Sequence, residues 1–514
     1  MSLLLVPNPI LPGCYPDASL CRRGDDYFLV TSSFGYWPGI PVFHSTDLVG
    51  WTQLGHVIER TSQLDLSGYD LSDGVWAPTI REHKGVFYVI VSTARHRQGE
   101  RMLLFRSADP ADGWSDPIEL AGEGIDPSLF FDEGRAWVTA CRDAHSPGDG
   151  PAEIWLRELD LGSLALVGPT TVIWHGFARD AWVEAPHLYR GARGYHLLCA
   201  EGGTERNHAV TAAFAERVTG PYRSDPRSPL LTHRHLGAEY PVQNVGHADL
   251  VDTPGGDTWA VVLATRPENG HHLLGRETHL VPVGWDDAGP VFAPGSGRVP
   301  DAVALDGITL TTGRPQLDRF DRAELDARWV SLRGPLLERA RTRADGSAGL
   351  RLRGGKALSN GGGTPSFLGQ RIRDHSFASE ADVTRIDPDT AAGLALVQNE
   401  QHFVTATLAR QGDALLLTVR SRDGGLERIH ARHEVTAATR ITFLVDALAL
   451  VVLLDGAEIT RLSIVFLSTE SAGGFLGVLV GPYVESDGGE AEFRSVSYVA
   501  DAAVTSAVEL NFSA

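Results

Sequence analysis

Cysteine is scarce in this sequence, with four in 514 residues, Cys14, Cys21, Cys141 and Cys199, and no C-x-x-C pair. That spacing excludes a cysteine-built metal site or a disulfide framework; the thiols read as small buried hydrophobes in a reducing compartment. Basic charge is also in deficit, 45 lysines and arginines against 65 acidic residues, for a net of -20. Such a surface repels polyanions, which excludes nucleic acid and anionic membranes as partners and leaves a small neutral substrate as the best fit. No apolar run is long enough to span a bilayer. The N-terminal MSLLLVPNPILP is apolar, but Pro7, Pro9 and Pro12 interrupt it and it lacks a basic leader and a small-residue cleavage site. The expected location is cytoplasmic. Helical periodicity is scarce too, so the fold class is all-β.

What the first three hundred residues do contain is a repeat. Five segments share a turn, an aromatic residue and an apolar run: GDDYFLVTSS at Tyr27, KGVFYVIVSTA at Phe87, EGRAWVTACRD at Trp137, RGYHLLCAEGG at Tyr195 and GDTWAVVLATR at Trp259. They recur every 50 to 64 residues, the length of a four-stranded sheet with its turns, which predicts the five blades of a β-propeller over residues 1–300.

Before each marker lies a short strand entered through a proline or a small residue: YPDAS, WAPTI, IDPSLF, EAPHLY and GHADLV. Counted back from the markers, Asp17 lies 10 residues upstream, Asp126 and Glu184 lie 11, and His247 lies 12. Rotation about a propeller axis brings such positions together, so three carboxylates and an imidazole are expected at one end of the channel. Singly, Asp17 and Asp126 read as ordinary proline-adjacent turn residues and Glu184 as a surface strand residue. Together they repel one another, a cost that function uses.

Glycosidic hydrolysis needs a protonated acid on the leaving oxygen and a second carboxylate as base or nucleophile. Glu184 suits the acid, because neighbouring anions hold its proton, and Asp17 suits the base. Asp126 supplies the field on Glu184. Opposed across a wide cavity, Asp17 and Glu184 leave room for a water, which predicts inversion.

Phe34, Trp37 and Trp76 are candidates to wall a sugar subsite, against the alternative of ordinary core aromatics. Arg276, otherwise a surface arginine, is placed to reach the axis as a fixed donor to hydroxyls. Thr204 and Glu201, in AEGGTERNH, are candidate substrate contacts. His247 reads either as an axial structural residue or as a ligand for water or a single cation, and is the metal candidate of the sequence. Gly361–Gly363 lacks the lysine and helix of a phosphate loop and reads as a turn.

NPILPGCYPDAS, SFGYWPGIPVFHSTDLVGW, SQLDLSGYDLSDGVWAP, GIDPSLFFDEGRAWV, VEAPHLY, AEGGT, GHADLV and LGRET together resemble glycoside hydrolase family 43, above all its two-domain β-xylosidases and α-L-arabinofuranosidases. The resemblance implies a five-bladed propeller, an inverting mechanism, and the roles of general base for Asp17, pKa-modulating aspartate for Asp126 and general acid for Glu184. It implies that Phe34, Trp76 and Arg276 line the sugar pocket. It makes His247 the axial histidine, which in some members holds a calcium ion or a water; no other cofactor is implied. YPDAS stands where NPDPS is common, a departure that touches the loop and not the aspartate.

Beyond a linker at 301–319, short strands with Gly and Asp turns predict an antiparallel β-sandwich over 320–514, which the resemblance makes a concanavalin-like jelly roll. Its segment Gly473–Gly489 is the candidate to reach the active-site rim, the alternative being a purely structural partner. The expected activity is exo-acting release of terminal xylose from β-1,4-xylo-oligosaccharides, or of α-L-arabinofuranose from arabinoxylan fragments. The competing classes are a non-catalytic sugar-binding propeller and a scaffold with an interaction sandwich. Homo-oligomers occur among the enzymes it resembles, and no sequence feature decides the point here.

Overall fold

The computed structural model describes residues 4–96, 98–145, 150–178, 181–305, 316–336, 339–342, 349–412, 414–435, 437 and 439–500. Much of the linker expected at 301–319 therefore lies outside the described residues.

Five four-stranded antiparallel sheets, each contiguous in sequence, follow one another from Ser19 to Phe292. Their innermost strands are β1 (Ser19–Arg23), β2 (Gly74–His83), β3 (Ile125–Asp132), β4 (Val183–Gly191) and β5 (Gln243–Asp252). Each inner strand touches the next, and β5 returns to β1, so the sheets close into a five-bladed propeller. Apolar side chains from adjacent blades fill the seams. Phe28 of blade 1 meets Phe87 of blade 2 edge to face, with centroids 4.7 Å apart.

The ring is latched by its ends. Leu4–Pro7 pairs antiparallel with Ala302–Leu305, just beyond blade 5. Asn8 then fixes the turn into blade 1, its amide donating to the carbonyls of Leu280 and Pro300 at 2.9 Å while its oxygen accepts from Leu280 N at 2.9 Å.

One irregularity recurs in every blade. Asp17, Ala77, Asp126, Ala185 and His247, each at the axial start of its blade, all have left-handed backbone, with φ of 57, 42, 52, 52 and 48°. In blades 2 to 5 this residue lies within a break of the strand register, between Trp76 and Thr79, Ile125 and Ser128, Glu184 and His187, and Gly246 and Asp249. A non-glycine residue takes this conformation at a cost, and a bulge re-aims its neighbours. The strain therefore sits where five strands converge on the axis.

The second unit stacks two sheets, one of eight strands centred on Ser376–Ile386 and Glu490–Ala500, the other of seven centred on Ala391–Asn399 and Leu479–Glu485. Alternate residues point inward, as in Ala449–Leu454, and form one core of leucine, valine and phenylalanine. It is joined to the propeller by a strand pair, Tyr36–Trp37 with Ser331–Leu332, and by a shared apolar cluster including Cys14, Phe34, Tyr36, Phe367 and Tyr483. Arg333, buried between the units, pairs with Glu400 and donates to the Tyr69 carbonyl. Trp37 is spent in this junction and in the seam of blades 1 and 2, and is buried. It does not wall a sugar subsite.

Candidate active site

The bulges gather the polar side chains. Asp17, Asp126 and His247 occupy the same left-handed slot in blades 1, 3 and 5; Ala77 and Ala185 fill it in blades 2 and 4. Glu184 is one residue earlier, in the slot that Trp76 occupies in blade 2. The count of 11 residues equated Glu184 with Asp126 because Tyr195 lies one register position before Trp137: His196, not Tyr195, stands opposite Tyr189 as Trp137 stands opposite Phe130. The acid is thus offset along its strand from the two aspartates.

Asp17 is buried and held from three sides. Ser32 donates to Oδ2 at 2.6 Å and itself accepts from Ala77 N at 2.7 Å, tying blade 1 to blade 2. Arg276 Nη1 lies 3.3 Å and His247 Nδ1 3.4 Å from Oδ1. Burial alone would push this carboxyl up. Arg276, His247 and the Ser32 hydroxyl together outweigh it and hold Asp17 below the ordinary carboxylate range.

The other two carboxyls move the opposite way. Asp126 is pushed up to about 6, chiefly by burial, with the Asp17 charge adding to the effect against the pull of His247. Its Oδ2 accepts from Ala185 N at 3.1 Å, which fixes it against the backbone next to Glu184. Glu184, half-buried, is raised well above the usual range, first by burial and then by the charges of Asp126 and Asp17. One pocket therefore drives two carboxyls in opposite directions, Asp17 toward the anion and Glu184 toward the protonated acid.

Beneath them a second polar layer closes the channel, formed by Ser19, Ser128, His187 and Asp249, two residues beyond the left-handed positions of their blades, and by Arg81, four beyond that of blade 2. Arg81 donates to both oxygens of Asp249, at 2.8 and 2.9 Å, to Ser19 Oγ at 3.0 Å and to His187 Nδ1 at 3.1 Å. Ser19 donates to Asp249 at 2.6 Å, and Ser128 sits 2.8 Å from His187 Nδ1. Every blade contributes to this floor. His187 stays neutral, pushed down to about 3 by burial, with Nδ1 accepting from Arg81.

Aromatic walls stand above. Phe34 and Phe475 stack at 6.3 Å, Trp76 meets Phe475 edge to face at 5.2 Å, and the Arg276 guanidinium lies 5.6 Å from the Phe34 ring and 5.3 Å from that of Phe475. Phe475 comes from the sandwich. Its backbone N donates to Ser72 Oγ at 3.2 Å, and Trp76 Nε1 donates to the Ser72 carbonyl at 3.0 Å. The segment Gly473–Gly489 reaches the rim through this one residue, while Leu479–Glu485 is a strand of the sandwich.

Thr204 is half-buried on the turn after Gly194–Glu201, next to Glu205, whose charge bears on Glu184. Glu201 is not a substrate contact. It is buried and accepts from Ala178 N and Thr211 Oγ1 at 3.1 Å each. The surroundings of His247 do not suit a calcium ion held by protein, because calcium takes six to eight oxygen ligands and the adjacent carboxylate, Asp17, already serves Arg276 and Ser32. Among the described residues, the triad with metal-ligand geometry is Asp70, Asp73 and His96, on the loop before β2 and at the end of the strand beside it. Sequence reasoning missed Ser32, in VTSSFG, and named the segment that holds Phe475 without singling out the residue; neither side chain carries a local signal of its own.

Comparison with known proteins agrees with this architecture. Residues 6–290 match the model of glycosyl hydrolases family 43, and residues 317–499 match that of a beta xylosidase C-terminal concanavalin A-like domain. A xylosidase/arabinosidase from Butyrivibrio fibrisolvens is 39% identical over 508 residues, spanning 95% of this chain and 97% of its own. A non-reducing end alpha-L-arabinofuranosidase from Bacteroides ovatus is 32% identical over 499 residues, spanning 94% and 91%. The crystal structure of a xylan beta-1,4-xylosidase from Bacillus halodurans aligns with a TM-score of 0.88 at 30% identity, over 96% of this chain and 100% of that one.

Proposed function

The chain belongs to family 43 of the glycosyl hydrolases, as a glycoside hydrolase of the xylosidase/arabinofuranosidase group, and on that premise we propose that it releases terminal xylose from β-1,4-xylo-oligosaccharides with inversion. The observation that carries this reading is that one pocket holds Asp17 against Arg276, His247 and Ser32 while it buries Glu184 beside Asp126, which pushes the two carboxyls in opposite directions. Asp17, anionic, takes the proton of a water as its oxygen attacks the anomeric carbon. The glycosidic C–O bond breaks, and the proton on Glu184 passes to the leaving oxygen. Asp126 keeps that proton in place by its charge and stays oriented through Ala185 N.

Blades 1 and 4 are not neighbours in the ring, which supports an arrangement with base and acid on opposite sides of the bound sugar and a water between them, the requirement for inversion. Arg276 Nε is buried and has no hydrogen-bond partner among the described residues, which suits it to a sugar hydroxyl. Phe34, Trp76 and Phe475 offer ring faces to the sugar, and Phe475 bounds the pocket from the sandwich side, which favours a chain end over mid-chain binding. Thr204, on the turn beside Glu205, serves in this reading as a substrate contact. Calcium is not needed for any of these steps. The reading places the enzyme in the cytoplasm, in keeping with its four free, buried thiols.

The second reading, release of α-L-arabinofuranose by the same residues, is favoured by the paired name of the Butyrivibrio relative and by the Bacteroides one. Kinetics on aryl β-D-xylopyranoside and aryl α-L-arabinofuranoside decide between them. Glu184→Ala and Asp17→Ala should each lose at least about a hundredfold in kcat/KM, and full activity in either variant would reject its assigned role. NMR of the first anomer released tests inversion; a retained anomer would require a closer carboxyl pair and a covalent intermediate.

A further inference from the structure

At the opposite end of the propeller from the carboxylates, the hairpins of blades 4 and 5 enclose a groove of about 980 Å³. β4 runs from Glu184 to this groove at Arg190 and Gly191, seven residues of extended chain, or roughly 20 Å. We propose that the groove is a second carbohydrate-binding site, which holds a pentose oligosaccharide chain away from the catalytic centre. The ligand class rests on the proposed function; the site rests on its own geometry.

Its floor is a row of aromatic rings. Phe214 and His196 are 5.2 Å apart, and His196 meets Trp285 edge to face at 5.3 Å and 67°. His196 is wedged between Gly191 and Gly289, where an added Cβ would lie 2.8 and 2.9 Å from the imidazole. Burial keeps that imidazole on the neutral side.

Trp285 is 43% exposed, and no other tryptophan among the described residues is exposed. Its orientation is set. Nε1 donates to Thr258 Oγ1 at 2.9 Å, and Thr258 donates to Asp252 at 2.6 Å. An indole whose N–H is satisfied, whose edge is packed and whose face is open costs little order on binding, and an apolar ring face of this kind matches the C–H face of a pyranose.

The walls discriminate against charged ligands. Arg227 bridges Asp225 at 2.6 Å and Asp286 at 3.0 Å, while Arg193, Arg223 and Asp287 complete a rim of both signs. Acidic groups outnumber basic ones along this lining, which rejects anions, while the charges offset through Arg227 leave spare lone pairs and N–H groups for a ligand of many hydroxyls and no charge.

Affinity electrophoresis through gels with and without soluble arabinoxylan tests the assignment on the full chain, with aryl pentoside hydrolysis measured in parallel. Trp285→Ala should bind the polysaccharide at least about fivefold more weakly than the wild type. Its aryl-pentoside kcat/KM should stay within about twofold, which also certifies the fold. Ala288→Arg, which puts a bulky side chain into the groove from an exposed turn and keeps the tryptophan, should do the same. Equal retardation of both variants and the wild type overturns the proposal, as does a wild type that ignores arabinoxylan. So does a wild-type dimer that both variants dissociate without change in retardation, which would make the groove a contact between two copies. Loss of retardation in the variants of a protein that cleaves no pentoside would defeat the proposed function and leave the groove standing.

Discussion

Replacing Asp126 by Asn separates its charge from its shape. The amide oxygen can still accept from Ala185 N, now met at 3.1 Å by Oδ2, so the change removes an anion next to Glu184 and little else. Two carboxylates roughly 6 Å apart at an effective dielectric of about 20 interact by about 2.8 kcal/mol, which is about two pH units. Glu184 owes its raised range first to burial and only then to Asp126, so the variant's acid should stay above the ordinary range but lose its proton up to about two units earlier. The sign follows. Glu184 must be protonated to act, so the alkaline limb of kcat/KM moves down in pH, while the acid limb, set by Asp17 through Arg276, His247 and Ser32, moves less. The assay is a pH profile from about pH 4 to about pH 9 on xylobiose, whose poor leaving group needs the acid, beside an activated aryl xyloside, which needs it less. On xylobiose the variant should recover toward wild-type rates as the pH is lowered. A uniform loss at every pH, with both limbs unmoved, would refute the idea that Asp126 works through the charge on Glu184.

Arg276→Met removes the cation that helps hold Asp17 down, so Asp17 rises toward its ordinary range and the acid limb of kcat/KM should move to higher pH; an unmoved limb would mean that His247 and Ser32 suffice. Phe475→Ala removes an aromatic wall worth about 1 kcal/mol, so kcat/KM on aryl xyloside should fall by about five- to tenfold, with unfolding by denaturant nearly unchanged because the residue is half-exposed. Asp249→Ala strands Arg81 in the channel floor, a loss of about 3–5 kcal/mol in denaturant unfolding. Because Asp249 is depressed in the folded state, its stabilisation is complete above its unfolded value near about pH 4 and fades as the pH falls further, so wild type and variant should converge in acid.

The propeller was legible because a blade is a local object. Each hairpin carries its aromatic and its turn within a dozen residues, and five copies make the period visible. The three carboxyls were legible for the same reason, yet their alignment was not. Tyr195 and Trp137 differ by one register position, and the bulge that sets Glu184 apart from Asp126 leaves no mark in composition. Of the contacts between the two units, the segment Gly473–Gly489 was legible as a candidate for the rim, but not which of its residues arrives there. Trp37 pairs with Ser331, and Phe475 meets Trp76 across almost four hundred residues of chain; no local rule links them. Glu201 lies in the same AEGGTERNH run as Thr204 and looked equally available, but its lone pairs are spent on Ala178 and Thr211.

The five left-handed positions amount to a turret with interchangeable sockets. Every blade presents one residue to the axis at the same height and in the same backbone state, whatever its side chain. Three sockets are loaded with Asp17, Asp126 and His247, and two carry only the methyl groups of Ala77 and Ala185. A group installed in either alanine socket would enter the pocket already aimed, without a new turn or loop to hold it, so the frame can change its sugar by exchanging side chains while leaving every strand where it is.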